Sequence, residues 1–104
     1  MADVDRLPAV NLLVMYCAEP KVCEEFYARL GLSFTTEKHG SGPEHLAAVI
    51  DGGCVVELYP LGKRGPTLPL RLGLSVPSSL VDLDPGQHIL QDPDGRTVVV
   101  DVVG

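Results

Sequence analysis

A chain of 104 residues has room for one hydrophobic core, because either half alone would bury too little apolar surface to fold. Its 14 acidic residues outnumber 8 basic ones, and a net charge of −6 excludes a surface built for phosphate backbones or anionic lipid, so neither nucleic acid nor membrane is an expected partner. The longest apolar runs, 12–18 and 98–100, fall far short of the roughly 20 residues of a membrane span, and no basic-then-apolar export pattern opens the chain; the expected location is the cytoplasm.

In chain order, a mixed leader (1–8) precedes a strand at 9–17 that is apolar on both faces apart from Asn11. Glu19-Pro20 opens a helix, with Pro where its missing N–H costs nothing, and Val22, Cys23, Phe26, Tyr27 and Leu30 recur at helical spacing until Gly31 caps it. Strands are predicted at 32–38, at 45–50 after the Gly-rich loop 39–44, and at 54–59 after Asp51-Gly52-Gly53. Pro60, Gly62, Gly65, Pro66 and Pro69 mark 60–69 as a linker. A strand at 70–76 follows. The next stretch, 77–86, leaves room for about one or two helical turns at ~3.6 residues each. A hairpin closes the chain, 87–91 and 96–103 around Asp92-Pro93-Asp94-Gly95. The three cysteines, Cys17, Cys23 and Cys54, have no CxxC spacing and read as buried thiols.

A short internal repeat relates the halves. Asp51-Gly52-Gly53 and the strand after it match Asp94-Gly95 and its strand, and 12–17 match 71–76. Leu12 thereby corresponds to Arg71, and Glu57 to Val99.

The segments Glu24-Glu25-Phe26-Tyr27-Ala28-Arg29-Leu30-Gly31-Leu32 and Asp92-Pro93-Asp94-Gly95-Arg96 resemble the "FY…LGF" helix end and "DPDG" hairpin of the vicinal-oxygen-chelate superfamily, which includes glyoxalases, bleomycin resistance proteins and ring-cleaving dioxygenases. With 55–59 and 72–76 the resemblance spans nearly the whole chain. It implies one α+β domain over 1–104: paired βαβββ-type modules (about 9–59 and 70–104, linker 60–69) forming a curved mixed sheet around a cavity. The second module is shortened, its helix and one strand largely missing, and a homodimer is the expected means of covering the exposed sheet.

In metal-using members each module supplies two ligands, at positions that read here Leu12, Glu57, Arg71 and Val99. Leu and Val donate nothing and Arg71 carries a fixed positive charge, so no metal or other cofactor is expected. Glu57 and Arg71 are expected to meet in the cavity, either as a structural ion pair or with Arg71 anchoring an anionic or carbonyl-bearing ligand.

Tyr59, two residues from Glu57 on the same strand face, is a further ligand-binding candidate, as are His45, Leu12 and Val99. His39 and His45 flank the Gly-rich loop and, with Glu44, offer imidazole and carboxylate to a proton transfer or a metal; the plainer reading is surface hydrogen bonding. No catalytic residue stands out. The resemblance implies non-metal binding of a small, largely apolar molecule, a drug or metabolite held by sequestration. The rivals are a metal-dependent lyase, isomerase or dioxygenase of the same superfamily, and a non-catalytic interaction subunit.

Overall fold

The computed structural model describes residues 7–104, so residues 1–6 of the expected leader lie outside the described residues. The strands are β1 (Leu12–Cys17), β2 (Phe34–Glu37), β3 (His45–Val49), β4 (Val55–Pro60), β5 (Arg71–Pro77), β6 (Gly86–Gln91) and β7 (Thr97–Val103), with one α-helix, α1 (Pro20–Ala28). Every element read from the sequence is present, mostly trimmed by a residue or more. Pro20 begins α1. The helix ends in paired backbone bonds from Gly31 N to Ala28 O (3.0 Å) and from Leu32 N to Tyr27 O (3.1 Å), which need the positive φ of 96° at Gly31.

The strands form two sheets, ordered β1-β4-β3-β2 and β5-β7-β6. Register bears out the internal repeat: β1 runs parallel to β4 with Leu12 opposite Val55, and β5 runs parallel to β7 with Arg71 opposite Thr97. The second module is the shortened one. A single turn of 3-10 helix, Ser78–Leu80, stands where the first module has α1, and no strand corresponds to β2.

One face of each sheet feeds a shared core. Met15 and Cys17 of β1, Leu46 and Ala48 of β3, and Val56 and Leu58 of β4 join Cys23 and Tyr27 of α1 and Val76, Val98, Val100 and Val102 of the second sheet. By alternation the opposite face carries Leu12, Val14 and Tyr16, His45 and Ala47, Glu57 and Tyr59 on the first sheet, and Arg71, Gly73, Val99 and Ile89 on the second.

The Asp92-Pro93-Asp94-Gly95-Arg96 hairpin locks the modules together. Arg96 is fully buried and donates from Nε to Asp92 Oδ2 (2.6 Å), from Nη2 to Asp94 Oδ2 (3.0 Å) and from Nη1 to the Tyr16 carbonyl (3.1 Å). The Tyr27 hydroxyl donates to the same Asp92 oxygen at 2.6 Å. Burial, helped by Asp92, raises the Tyr27 phenol well above its ordinary 10.0. Arg96 Nη2 also lies 3.4 Å from Cys17 Sγ and 3.5 Å from Cys23 Sγ. Hydrogen bonding from Cys23, opposed by burial and assisted by Arg96, lowers the Cys17 thiol; the same contact, burial and Asp94 push Cys23 up. Cys17 and Cys23 are buried as expected, whereas Cys54 is only half-buried.

Candidate site on the open face of the first sheet

The antiparallel pairing of β2 with β3 sets Glu37 opposite His45, and that of β3 with β4 sets Ala47 opposite Glu57. His45, at the start of β3, is therefore flanked by a carboxylate from each neighbouring strand. Its Nε2 lies 3.4 Å from Glu37 Oε1 and 3.3 Å from Glu57 Oε2, with a side chain only 1% exposed. The other ring nitrogen, Nδ1, lies 3.4 Å from the Pro43 carbonyl, an oxygen that can only accept, so the contact is a hydrogen bond when Nδ1 carries the proton. His39 reaches over from the loop, its Nε2 3.5 Å from Glu37 Oε1. One donor atom from each of Glu37, His39, His45 and Glu57 lies within 4.8 Å of the others.

An aromatic floor adjoins this cluster. Tyr59 stacks on the His45 ring at 4.2 Å and 8° between planes, and Tyr16 tilts against Tyr59 at 5.8 Å. The Arg64 guanidinium sits 4.3 Å above the Tyr16 ring. Tyr16, Tyr59, Pro43 and residues 60–64 enclose a hollow of about 250 Å³. A larger hollow, about 700 Å³, lies on the other side of the molecule between α1 and the connector at 79–83. Size does not make it the better site, because its polar lining residues Arg29, Ser79 and Asp82 form no ion pair there among the described residues, whereas charged groups gather on the buried His45 beside Tyr59.

The structure gathers three of the expected site residues, His45, Glu57 and Tyr59. Leu12 shares their face at the strand's far end, 51% exposed, and the residue directly beside Glu57 on β1 is Val14. Val99 stands on the second sheet beside Gly73.

The expected meeting of Glu57 with Arg71 is not found. Arg71 is exposed at the start of β5, in a sheet that no ladder joins to β4, and the two residues form no ion pair; Glu57 turns to His45 instead. Glu44 forms no ion pair with either histidine, although it lines a shallow hollow beside His45; Glu37 is the carboxylate that reaches both, because the hairpin register brings it across from His45. Arg64 was hidden in a linker whose composition signals only turns. Glu37 was legible in principle, since pairing the expected strands at 32–38 and 45–50 through their loop sets the two residues opposite each other.

No family model and no curated protein matches the chain. Solved structures do. An oxidase, ChaP-H2, superposes with a TM-score of 0.66 at 14% identity, over 95% of this chain and 96% of its own. TnmS3, described as an antibiotic binding protein from Streptomyces sp. CB03234, gives 0.60 at 18% identity over 94% and 98%. Lactoylglutathione lyase from Agrobacterium tumefaciens gives 0.59 at 15% over 90% and 92%.

The chain has the vicinal-oxygen-chelate fold. Binders and enzymes both carry this fold, so function has to be argued from the side chains. The positions that the resemblance matches to the ion ligands of metal-using members are Leu12, Glu57, Arg71 and Val99, and of these side chains only Glu57 is of a type that ordinarily ligates a divalent cation.

Proposed function

We propose that the chain binds a small, largely apolar molecule on the open face of the first sheet, without an ion at the fold's usual ligand positions, and acts by sequestering a drug or metabolite. The aromatic floor of Tyr16, Tyr59 and His45 carries this reading. Tyr16 and Tyr59 line a hollow that Arg64 and Lys63 also line, a combination suited to a flat aromatic ligand bearing negative charge. The antibiotic-binding neighbour with the same fold is consistent with it.

A second copy of the chain is the proposed cover. Leu12, Val49, Ile89 and Val103 are large apolar side chains, all more than half exposed, and by alternation all lie on the sheet faces turned away from the core. No described helix is long and apolar enough to cross a membrane. Cytoplasmic location belongs to the same proposal.

The test is titration with anilinonaphthalene sulfonate, an aromatic anion, followed by its fluorescence. Tyr59→Ala and Arg64→Ala are each expected to weaken binding about fivefold to tenfold, the scale of an aromatic or cation–π contact of about 1–1.5 kcal/mol. Arg71→Leu is expected to leave it unchanged. Equal binding by all four proteins would remove the reading.

A further inference from the structure

Among the described residues, His45 Nε2 is the one buried side-chain nitrogen or oxygen without a hydrogen-bond partner. It is not short of neighbours, because two carboxylate oxygens lie at 3.3 and 3.4 Å. A straight N–H···O bond is possible at such distances, so its absence means that both oxygens sit to the side of the nitrogen's lone-pair direction. In the neutral tautomer that gives the Nδ1 proton to the Pro43 carbonyl, Nε2 points an electron pair between two acidic groups. That arrangement is repulsive unless something positive occupies the axis.

Its dimensions are those of a coordination shell. Around an ion bound at ~2.0–2.1 Å by imidazole nitrogen and carboxylate oxygen, tetrahedral ligand atoms stand about 1.63 bond lengths apart, or ~3.3–3.4 Å. The observed separations are 3.3 Å (His45 to Glu57), 3.4 Å (His45 to Glu37) and 3.5 Å (His39 to Glu37). Ligand oxygens around an ion also flank the ring axis rather than lying on it. The bond from the far ring nitrogen to a backbone carbonyl is the usual outer support of a metal-bound histidine. Two neutral imidazoles and two carboxylates match the charge and softness of a first-row divalent ion.

We propose that Glu37, His39, His45 and Glu57 form a binding site for a divalent transition ion of the zinc, cobalt or nickel class. The site uses one module only, and of the fold's usual ligand positions it includes Glu57 alone. Its donors are inter-strand neighbours on β2, β3 and β4, with His39 closing from the loop. Arg71, which would oppose a cation at the usual place, stands on the other sheet. The proposal does not depend on the small-molecule reading, and its test uses the ion alone.

The untagged, full-length chain is titrated with ZnCl2 by calorimetry and with CoCl2 by visible absorption. One ion per chain is expected, with the intense band of tetrahedral cobalt. His45→Gln and Glu57→Gln should each weaken binding about 100-fold or more, beyond the ~10–100-fold that outer-shell partners command. Glu37→Gln, at a half-exposed surface position, should do so without endangering the fold. Glu44→Gln and Cys23→Ser should leave affinity unchanged, the latter because Cys17, Cys23 and Asp94 form the other grouping of donors among the described residues. Absence of a stoichiometric ion would show that Nε2 holds only a proton and overturn the proposal. So would an affinity indifferent to Glu37→Gln, or lost in Cys23→Ser.

Discussion

Two acidic clusters lie on opposite faces of the first module, and they are built on different principles. At the hairpin, Asp92 and Asp94 come with their own permanent cation, Arg96, and Asp92 is further matched by the Tyr27 hydroxyl and two backbone N–H groups. On the open face, Glu37 and Glu57 flank an imidazole whose Nε2 has no hydrogen-bond partner, and neither has a guanidinium or ammonium partner among the described residues. The first arrangement is complete and serves the fold. The second is incomplete in the isolated chain, as a site awaiting something from outside is.

The largest contrast should appear when one carboxylate is neutralised in each cluster. Asp92→Asn leaves Arg96 charged, buried and short of its main partner, and is expected to cost about 3–5 kcal/mol in urea unfolding. Next in size is Tyr27→Phe, which removes a hydrogen bond to a charged group and should cost about 2 kcal/mol near neutral pH.

The same substitution has a pH signature. The native state holds the Tyr27 proton well above 10.0 while the unfolded chain releases it near that value. The tyrosine's contribution is therefore complete below pH 10 and falls as pH rises beyond it, at up to about 1.4 kcal/mol per pH unit. Tyr27→Phe should flatten that part of the alkaline stability profile. Smallest is Glu57→Gln: with metal excluded by chelator, stability should stay within about 0.5 kcal/mol of the parent, since a repulsive contact is relieved as a hydrogen-bonding group is kept. A loss of several kcal/mol there would make the open-face cluster structural after all.

Elements and modules were legible because periodicity, Pro20, Gly31 and the Asp-Gly turns act locally. The repeat even carried the correct strand correspondence, Leu12 with Arg71 and Glu57 with Val99, as the two parallel registers show. What that correspondence does not contain is which side chains meet across two separate sheets, and Glu57 pairs with His45 rather than with Arg71. His45 was legible as a ligand-binding candidate beside the Gly-rich loop, but not its carboxylate partners. Its importance depends on being an inter-strand neighbour of Glu37 and lying close to Glu57, a relation set by hairpin register. Arg96 gave the least warning, because a basic residue after a turn reads as surface until the hairpin is docked against β1 and α1.

That the Tyr16–Tyr59 face is where this protein meets its ligand is tested most directly by a 1H–15N amide map recorded during the anilinonaphthalene sulfonate titration. Shifts concentrated at Tyr16, His45, Tyr59 and residues 61–64 are the expected result. Shifts concentrated instead at residues 26–30 and 79–83, the larger hollow beside α1, would contradict it.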